Sequence, residues 1–272
     1  MPNRERRTVG QMFVLGIDLA AQPASTGAVV LRCESAGGSA ERSSTSWSVE
    51  AHGPADDELL VQLGAEATAI GVDCPLGWPS AFVDAVGAHH RHEPWPAEAD
   101  RRPLTHRLTD DEVRARGQGN PMSVSADLLG HVAMRCAWLQ REWSAQRGEP
   151  ALRDGSTWLM EVYPAASLRA WGLPSRGYKI RRGADAEPLA RRHQILDALG
   201  AAVGERLPLD GVRERCLASD HVLDALVAAL TVLVVRAGGT TWPLAEQRSI
   251  AQVEGWIHVP DGVLDVGAFD VG

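Results

Sequence analysis

The sequence predicts an α/β fold: a mixed β-sheet that begins with a three-stranded meander, continues in parallel strands and carries helices on both faces. Three observations point there. Short apolar or alternating runs separated by turn residues fill positions 12–51. Two apolar runs stop abruptly at an aspartate, one at Asp18 and one at Asp73. Finally, a helix-length segment, 219–235, has almost no charge beyond its first turns, so it has to be buried.

Residues 1–10 are polar and arginine-rich and are expected to form a disordered tail; a single domain spans 11–272. Met12–Ile17 reads as a buried strand ending at Asp18, and Leu19–Thr26 holds turn signals. Gly27–Leu31 is a second strand. After a Gly/Ser loop over 36–44, Ser46–Ala51 alternates as a third, exposed strand should. Asp56–Ala67, with acidic residues in its first turn and leucines at helical spacing, is a crossover helix. Ala69–Val72 is a fourth strand ending at Asp73, followed by the turn Cys74–Pro79 and a short helix over 80–86.

From 88 to 120 the composition turns to His, Arg, Pro and Asp, which predicts an inserted flap outside the core. Helices follow over 124–146, 164–171, 186–203 and 219–235, the last with Ser219 as its cap. Thr157–Tyr163 is a fifth strand stopped by Pro164, and Gly255–Val259 is a late one. The order, three meandering strands and then helices alternating with strands, is the ribonuclease-H-like layout. A simple nucleotide-binding βαβ repeat would not begin with a meander.

Hydrophobic residues make up 44% of the 272-residue chain and charged residues 23%, as in ordinary globular proteins. No apolar run reaches the ~18 residues a membrane span needs. There is no signal core behind the polar start, and Cys33, Cys74, Cys136 and Cys216 lie far apart, so a reducing cytoplasmic setting is expected. The net charge of -8 argues against a nucleic-acid coating protein, though not against a nuclease with a local acidic metal site.

The candidate chemistry is acidic. Asp18 and Asp73 each follow a strand at its carboxyl end, where ligands of open α/β sheets bind. Two close carboxylates need a proton or a cation between them; alone, each Asp is a common turn starter. Asp224 stands in an apolar helix, where an unpaired charge costs several kcal/mol. Asp220 lies one turn earlier, as a further metal ligand or simply a favourable charge at the helix start. Glu161, inside the fifth strand, is a fourth acidic group or the partner of an arginine. Asp18, Asp73, Glu161 and Asp224 are the candidate catalytic set. All-oxygen ligands favour Mg²⁺ or Mn²⁺. Such a cluster suits hydrolysis of phosphodiesters with two ions ~3.5–4 Å apart.

Gly16-Ile-Asp18, Gly71-Val-Asp-Cys-Pro-Leu-Gly77, Arg107-Leu-Thr-Asp110, Glu161-Val-Tyr-Pro-Ala165, Tyr178-Lys179 and Asp220-His-Val-Leu-Asp-Ala-Leu226 resemble a known family. It is domain of unknown function 429, described as predicted ribonuclease-H-like nucleases, and the likeness runs from about Met12 to Pro260. The resemblance implies the fold and an acidic site on Asp18, Asp73, Glu161 and Asp224.

Two stretches are candidate phosphate contacts. Arg107 and Asp110 stand among Arg101, Arg102, Arg114 and Arg116, but Asp111 and Glu112 almost cancel that charge, so a solvated loop fits equally. Tyr178 and Lys179, the single lysine, sit with Arg176, Arg181 and Arg182 in a cleaner positive run, or in a plain surface loop. His89, His90 and His92 lack metal-ligand spacing and read as an exposed loop; His221 reads as a helix-surface residue or a proton carrier. The expected function is a metal-dependent nuclease or phosphodiesterase acting on nucleic acid or a small phosphate ester. The alternatives are a non-catalytic binding protein of the same fold and an actin-like phosphotransfer protein. Against the last, Leu19–Thr26 holds no glycine for a phosphate loop.

Overall fold

The computed structural model describes residues 12–35, 45–96, 100–180 and 186–264. The expected tail and the Gly/Ser loop lie outside them. The first apolar run forms β1 (Met12–Asp18), buried from Phe13 onward. It pairs antiparallel with β2 (Gly27–Ser35), which pairs antiparallel with β3 (Thr45–His52). On its other side β1 runs parallel to β4 (Ala69–Asp73), then come β5 (Leu159–Val162) and β6 (Ile257–His258), giving the order β3-β2-β1-β4-β5-β6. This is the mixed sheet of a ribonuclease-H-like layout. On the edge strand β3, Ser46, Ser48 and Glu50 are exposed while Trp47 and Val49 pack on the core, the alternation a half-buried strand requires.

The helices are α1 (Asp57–Glu66), α2 (Ser80–His90), α3 (Arg102–Thr105), α4 (Leu108–Ala115), α5 (Gly130–Arg147), α6 (Pro164–Ala170), α7 (Ala186–Val203), α8 (Asp210–Ala218), α9 (Asp220–Arg236) and α10 (Arg248–Glu254). Helices α1 and α5 cover one face of the sheet, where the Trp143 indole donates to the Leu60 carbonyl at 3.0 Å. Helices α6 to α9 cover the other. Among the described residues, no helix is long and apolar enough to cross a membrane.

The structure departs from expectation in four places. Helix α5 starts at Gly130 rather than 124. Asp127 Oδ2 accepts from Ser123 N at 2.7 Å and Ser123 Oγ from Ala126 N at 2.9 Å, a side-chain-bonded turn that competes with helix. Strand β6 is only two residues long, because Gly255 sits at φ 103° before it and Pro260 follows closely. Helices α8 and α10 are short and carry no clear apolar period, so periodicity missed them. The segment 88–120 is not merely a flap: Arg107, Thr109, Asp110 and Val113 are buried, and Thr109 Oγ1 accepts from Ile257 N at 2.8 Å on the outer edge of β6.

Helix α9 decides where the site forms. Ser219 caps it, accepting from Val222 N, and fourteen of its seventeen residues are buried. Its many valines are indifferent helix formers, so burial rather than propensity holds it. It crosses three adjacent strands at a glycine in each. A Cβ on Gly16 would lie 2.2 Å from Ala225 O and 2.3 Å from Ala229 N; on Gly27, 2.4 Å from His221 O; on Gly71, 2.4 Å from Val232 Cγ2. The missing side chains let the helix backbone rest directly on the sheet. Gly16→Ala is therefore expected to lower stability by about 1–3 kcal/mol or more, since the obstruction is backbone. Gly200→Ala, in α7 with open space around the position, is expected to raise it by about 0.4–1 kcal/mol. Urea unfolding of the two variants checks both signs.

Candidate metal centre at the sheet crevice

Asp18 and Asp73 are register partners on the parallel pair β1–β4, so both strands end side by side. With a period of two, they share a face with Gly16 and Gly71, the face on which α9 lies. Because the helix sits flush there, Asp224 reaches the same point from above. Each of Asp18, Asp73 and Asp224 offers a carboxylate oxygen within 4.8 Å of the others. Asp224 is 1% exposed, Asp18 is 8% exposed, and Asp73 is partly open to the crevice.

Among the described residues, one lysine and one histidine form the ion pairs of the three carboxylates. Lys179 Nζ lies 2.7 Å from Asp224 Oδ2, and Tyr178 Oη donates to Asp224 Oδ1 at 2.8 Å, so both Asp224 oxygens are engaged. Even so, burial pushes the Asp224 carboxyl up to about 6; Lys179 pulls it down and Asp18 pushes it up. Asp73 is raised well above the usual carboxylate range by burial, then by Asp18, with Lys179 opposing and Asp224 adding to the rise. Among the described residues no hydrogen bond or ion pair reaches the Asp73 carboxylate. Burial works against the Lys179 charge, but Asp224, Asp73 and Asp18 overcome it and raise its pKa.

His221 Nδ1 lies 2.6 Å from Asp18 Oδ2, and that hydrogen bond raises the imidazole's pKa against the effect of burial. The sequence reading favoured a helix-surface position for this residue. The signal that could have found its role is the three-residue spacing to Asp224, which puts both on one helix face.

Folding stability registers this crowding. The folded Asp224 pKa lies above its ordinary 3.8, so the group stabilises the fold fully below that value. The contribution is lost as pH rises through about 6. In metal-free buffer the wild type is therefore expected to lose stability relative to Asp224→Asn between pH 4 and 7, as followed by thermal melts.

A cavity of about 390 Å³ opens beside the cluster, lined by Asp18, Asp73 and Lys179 and by an apolar wall including Leu19, Met122, Leu129, Val132 and Tyr163. The oxygen donors Asp18, Asp73 and Asp224 fit Mg²⁺ or Mn²⁺, and the Asp73 carboxylate, without a partner among the described residues, is the group a cation would satisfy.

The other expected site residues stand outside the three-carboxylate group, although Glu161, Arg107 and Lys179 line the same cavity. Glu161 is not in the cluster: both its oxygens accept from Arg107, at 2.7 Å each, and Oε2 also accepts from Leu76 N at 2.9 Å. Arg107 and Asp110, expected as phosphate contacts, are bound to each other in the interior. Arg107 is 2% exposed and all five of its guanidinium donors are used, on Glu161, Asp110 and the Glu254 carbonyl. Burial opposes that charge, and Glu161 and Asp110 overcome it, leaving the arginine pKa raised. Asp110 also accepts from Arg107 N at 2.8 Å. Asp220 lies in the first turn of α9, outside the three-carboxylate group. Tyr178 is buried against Asp224 and presents no surface to a nucleic-acid backbone; Lys179 does line the cavity. Arg181 lies outside the described residues.

Residues 16–248 match the family described as Protein of unknown function (DUF429). No curated protein and no solved structure matches the chain.

Proposed function

The chain belongs to the DUF429 family, and from its crevice we propose a metal-dependent hydrolase of phosphate esters, a nuclease or phosphodiesterase that uses Mg²⁺ or Mn²⁺. The observation that carries this reading is Asp73: a carboxylate beside two others, with no partner among the described residues, where a cation relieves the repulsion. Asp18, Asp73 and Asp224 would hold the ion. When bound, it supplies a hydroxide nucleophile and offsets charge on the phosphoryl oxygens. The three carboxylates offer oxygens within 4.8 Å of one another, a spacing that suits the ligands of a single ion.

The chain's own residues do the rest. Asp18 fixes the His221 ring through Nδ1 and leaves Nε2 as the atom that takes or gives a proton. Tyr178 and Lys179 hold Asp224 in one rotamer, and Lys179, lining the cavity, offers its remaining donors to a phosphate oxygen. A cytoplasmic setting goes with this reading, supported by four buried cysteines with free thiols. The phosphotransfer alternative finds no support after β1, where residues 23–25 form a 3-10 turn in a glycine-free connection.

Calorimetric titration with Mn²⁺ tests the proposal. The wild type is expected to bind, and Asp18→Asn to bind at least about tenfold more weakly. Because ligands must be deprotonated, affinity should also fall below pH 6, by up to about tenfold per pH unit for one proton displaced. A wild-type protein that takes up no Mn²⁺ at pH 7.5 defeats the reading.

A further inference from the structure

Resting on the hydrolytic reading, we infer that the substrate is a small phosphate ester bearing an apolar or aromatic group, seated in the crevice, rather than a nucleic-acid polymer laid across the sheet edge. The first ground is shape. The cavity measures about 390 Å³, within the range of small-ligand sites, and its wall is mostly apolar apart from Asp18, Asp73, Glu161, Lys179 and Arg107. A polymer backbone has no use for such a wall, whereas a ring or alkyl group attached to one phosphate fills it.

The second ground is an aromatic ring seated in the cavity wall. Tyr163 follows β5 directly and heads α6, and its ring packs so closely on Gly119 that a Cβ there would lie 2.7 Å from Cε1. Partly buried, with its Cε1 edge held against Gly119, Tyr163 lines the cavity with a ring that a planar substituent can meet. At the mouth, Met122 is 54% exposed, an apolar lip where a phosphate backbone would need a cation.

The third ground is charge. Among the described lining residues the cations are Lys179 and Arg107, and every Arg107 donor is already committed. That leaves Lys179 among the described lining residues to meet phosphate, which suits one phosphoryl group. A polymer held by its backbone engages several cations and shows it in a steep salt dependence. The net charge of -8 opposes a polyanion further. In the reaction, water oxygen bonds to phosphorus and the ester P–O bond breaks. The proton released by the water passes to the departing alkoxide or phenoxide.

The test uses the full chain with Mn²⁺ and compares bis(p-nitrophenyl) phosphate with single-stranded and duplex 20-mers. The diester is expected to be hydrolysed with the higher kcat/KM, changing less than about threefold between 50 and 200 mM salt. Met122→Glu, at an exposed position, should raise its KM about tenfold with kcat kept. Tyr163→Ala should do the same, and Tyr163→Phe should restore the wild-type value. Preferred cleavage of an oligonucleotide, a salt loss of 10³-fold or so, an unmoved KM in Met122→Glu and Tyr163→Ala, or hydrolysis of nothing, each overturns the substrate class. Hydrolysis of nothing together with no Mn²⁺ uptake also overturns the parent reading; Mn²⁺ uptake with oligonucleotide cleavage leaves that one standing.

Discussion

Arg107→Met is expected to lower the unfolding free energy by about 3–5 kcal/mol, and with it the melting temperature by roughly 6–20 °C. The arginine joins Glu161 of β5 to Asp110 of α4 and to the Glu254 carbonyl at the end of α10, all in the protein interior. Taking it away strands two carboxylates without a cation, and their desolvation is then uncompensated. Glu254 tightens the same region, accepting from Ser80 N at 2.7 Å and Leu108 N at 3.0 Å, so the loss spreads to the starts of α2 and α4. The pH dependence carries a sign. Burial already raises the Glu161 pKa and Arg107 holds it down, so without the arginine it rises further and the variant loses least at acid pH and most above neutrality. Adding Glu161→Gln to Arg107→Met should recover part of the loss, because one stranded charge is gone. Melts at pH 5 and 8 decide it: a loss under about 1 kcal/mol at both would return Arg107 to the role of a ligand contact.

This ion network also explains what the sequence did and did not disclose. Asp18 and Asp73 were legible because an apolar strand ending in a carboxylate is a local pattern, and the parallel pairing that brings them together follows from the element order. Asp224 was legible because it interrupts a nearly charge-free helix. The three glycines under α9 stood in plain view inside or at the start of strands, yet their use depends on a helix more than 150 positions away. Segment 88–120 misled for a physical reason: two of its buried residues, Arg107 and Asp110, are charged, and composition cannot tell a solvated arginine from one whose partners lie 54 and 147 positions away. Glu161 stood between a catalytic and a paired role, and only its distance to Arg107 decides between them. His221 and Asp18, 203 positions apart, meet only because α9 lies on β1.

Asp73→Asn should separate function from stability, with opposite signs. Under the proposed chemistry the change removes one of three oxygen ligands and with it several kcal/mol of transition-state stabilisation, so hydrolysis is expected to fall roughly 10³-fold. The metal-free protein should meanwhile become more stable, by about 0.5–2 kcal/mol, as strained sites often do when relieved. The cause is the same in both cases. Burial and the neighbouring Asp18 and Asp224 charges raise the Asp73 pKa, so ionising it at neutral pH works against the fold, and asparagine mimics the protonated form without the penalty. A raised folded pKa gives stability at low pH that is lost as pH rises, so the advantage of Asp73→Asn over the wild type should widen from pH 5 to pH 8. With Mn²⁺ present the order should reverse, because only the wild type gains from ligation. Paired melts with and without 1 mM Mn²⁺ read out all of this. An asparagine variant that is less stable than the wild type in metal-free buffer, or that keeps the Mn²⁺-dependent rise, would mean that Asp73 is content where it stands and that no cation is needed to hold the three carboxylates together.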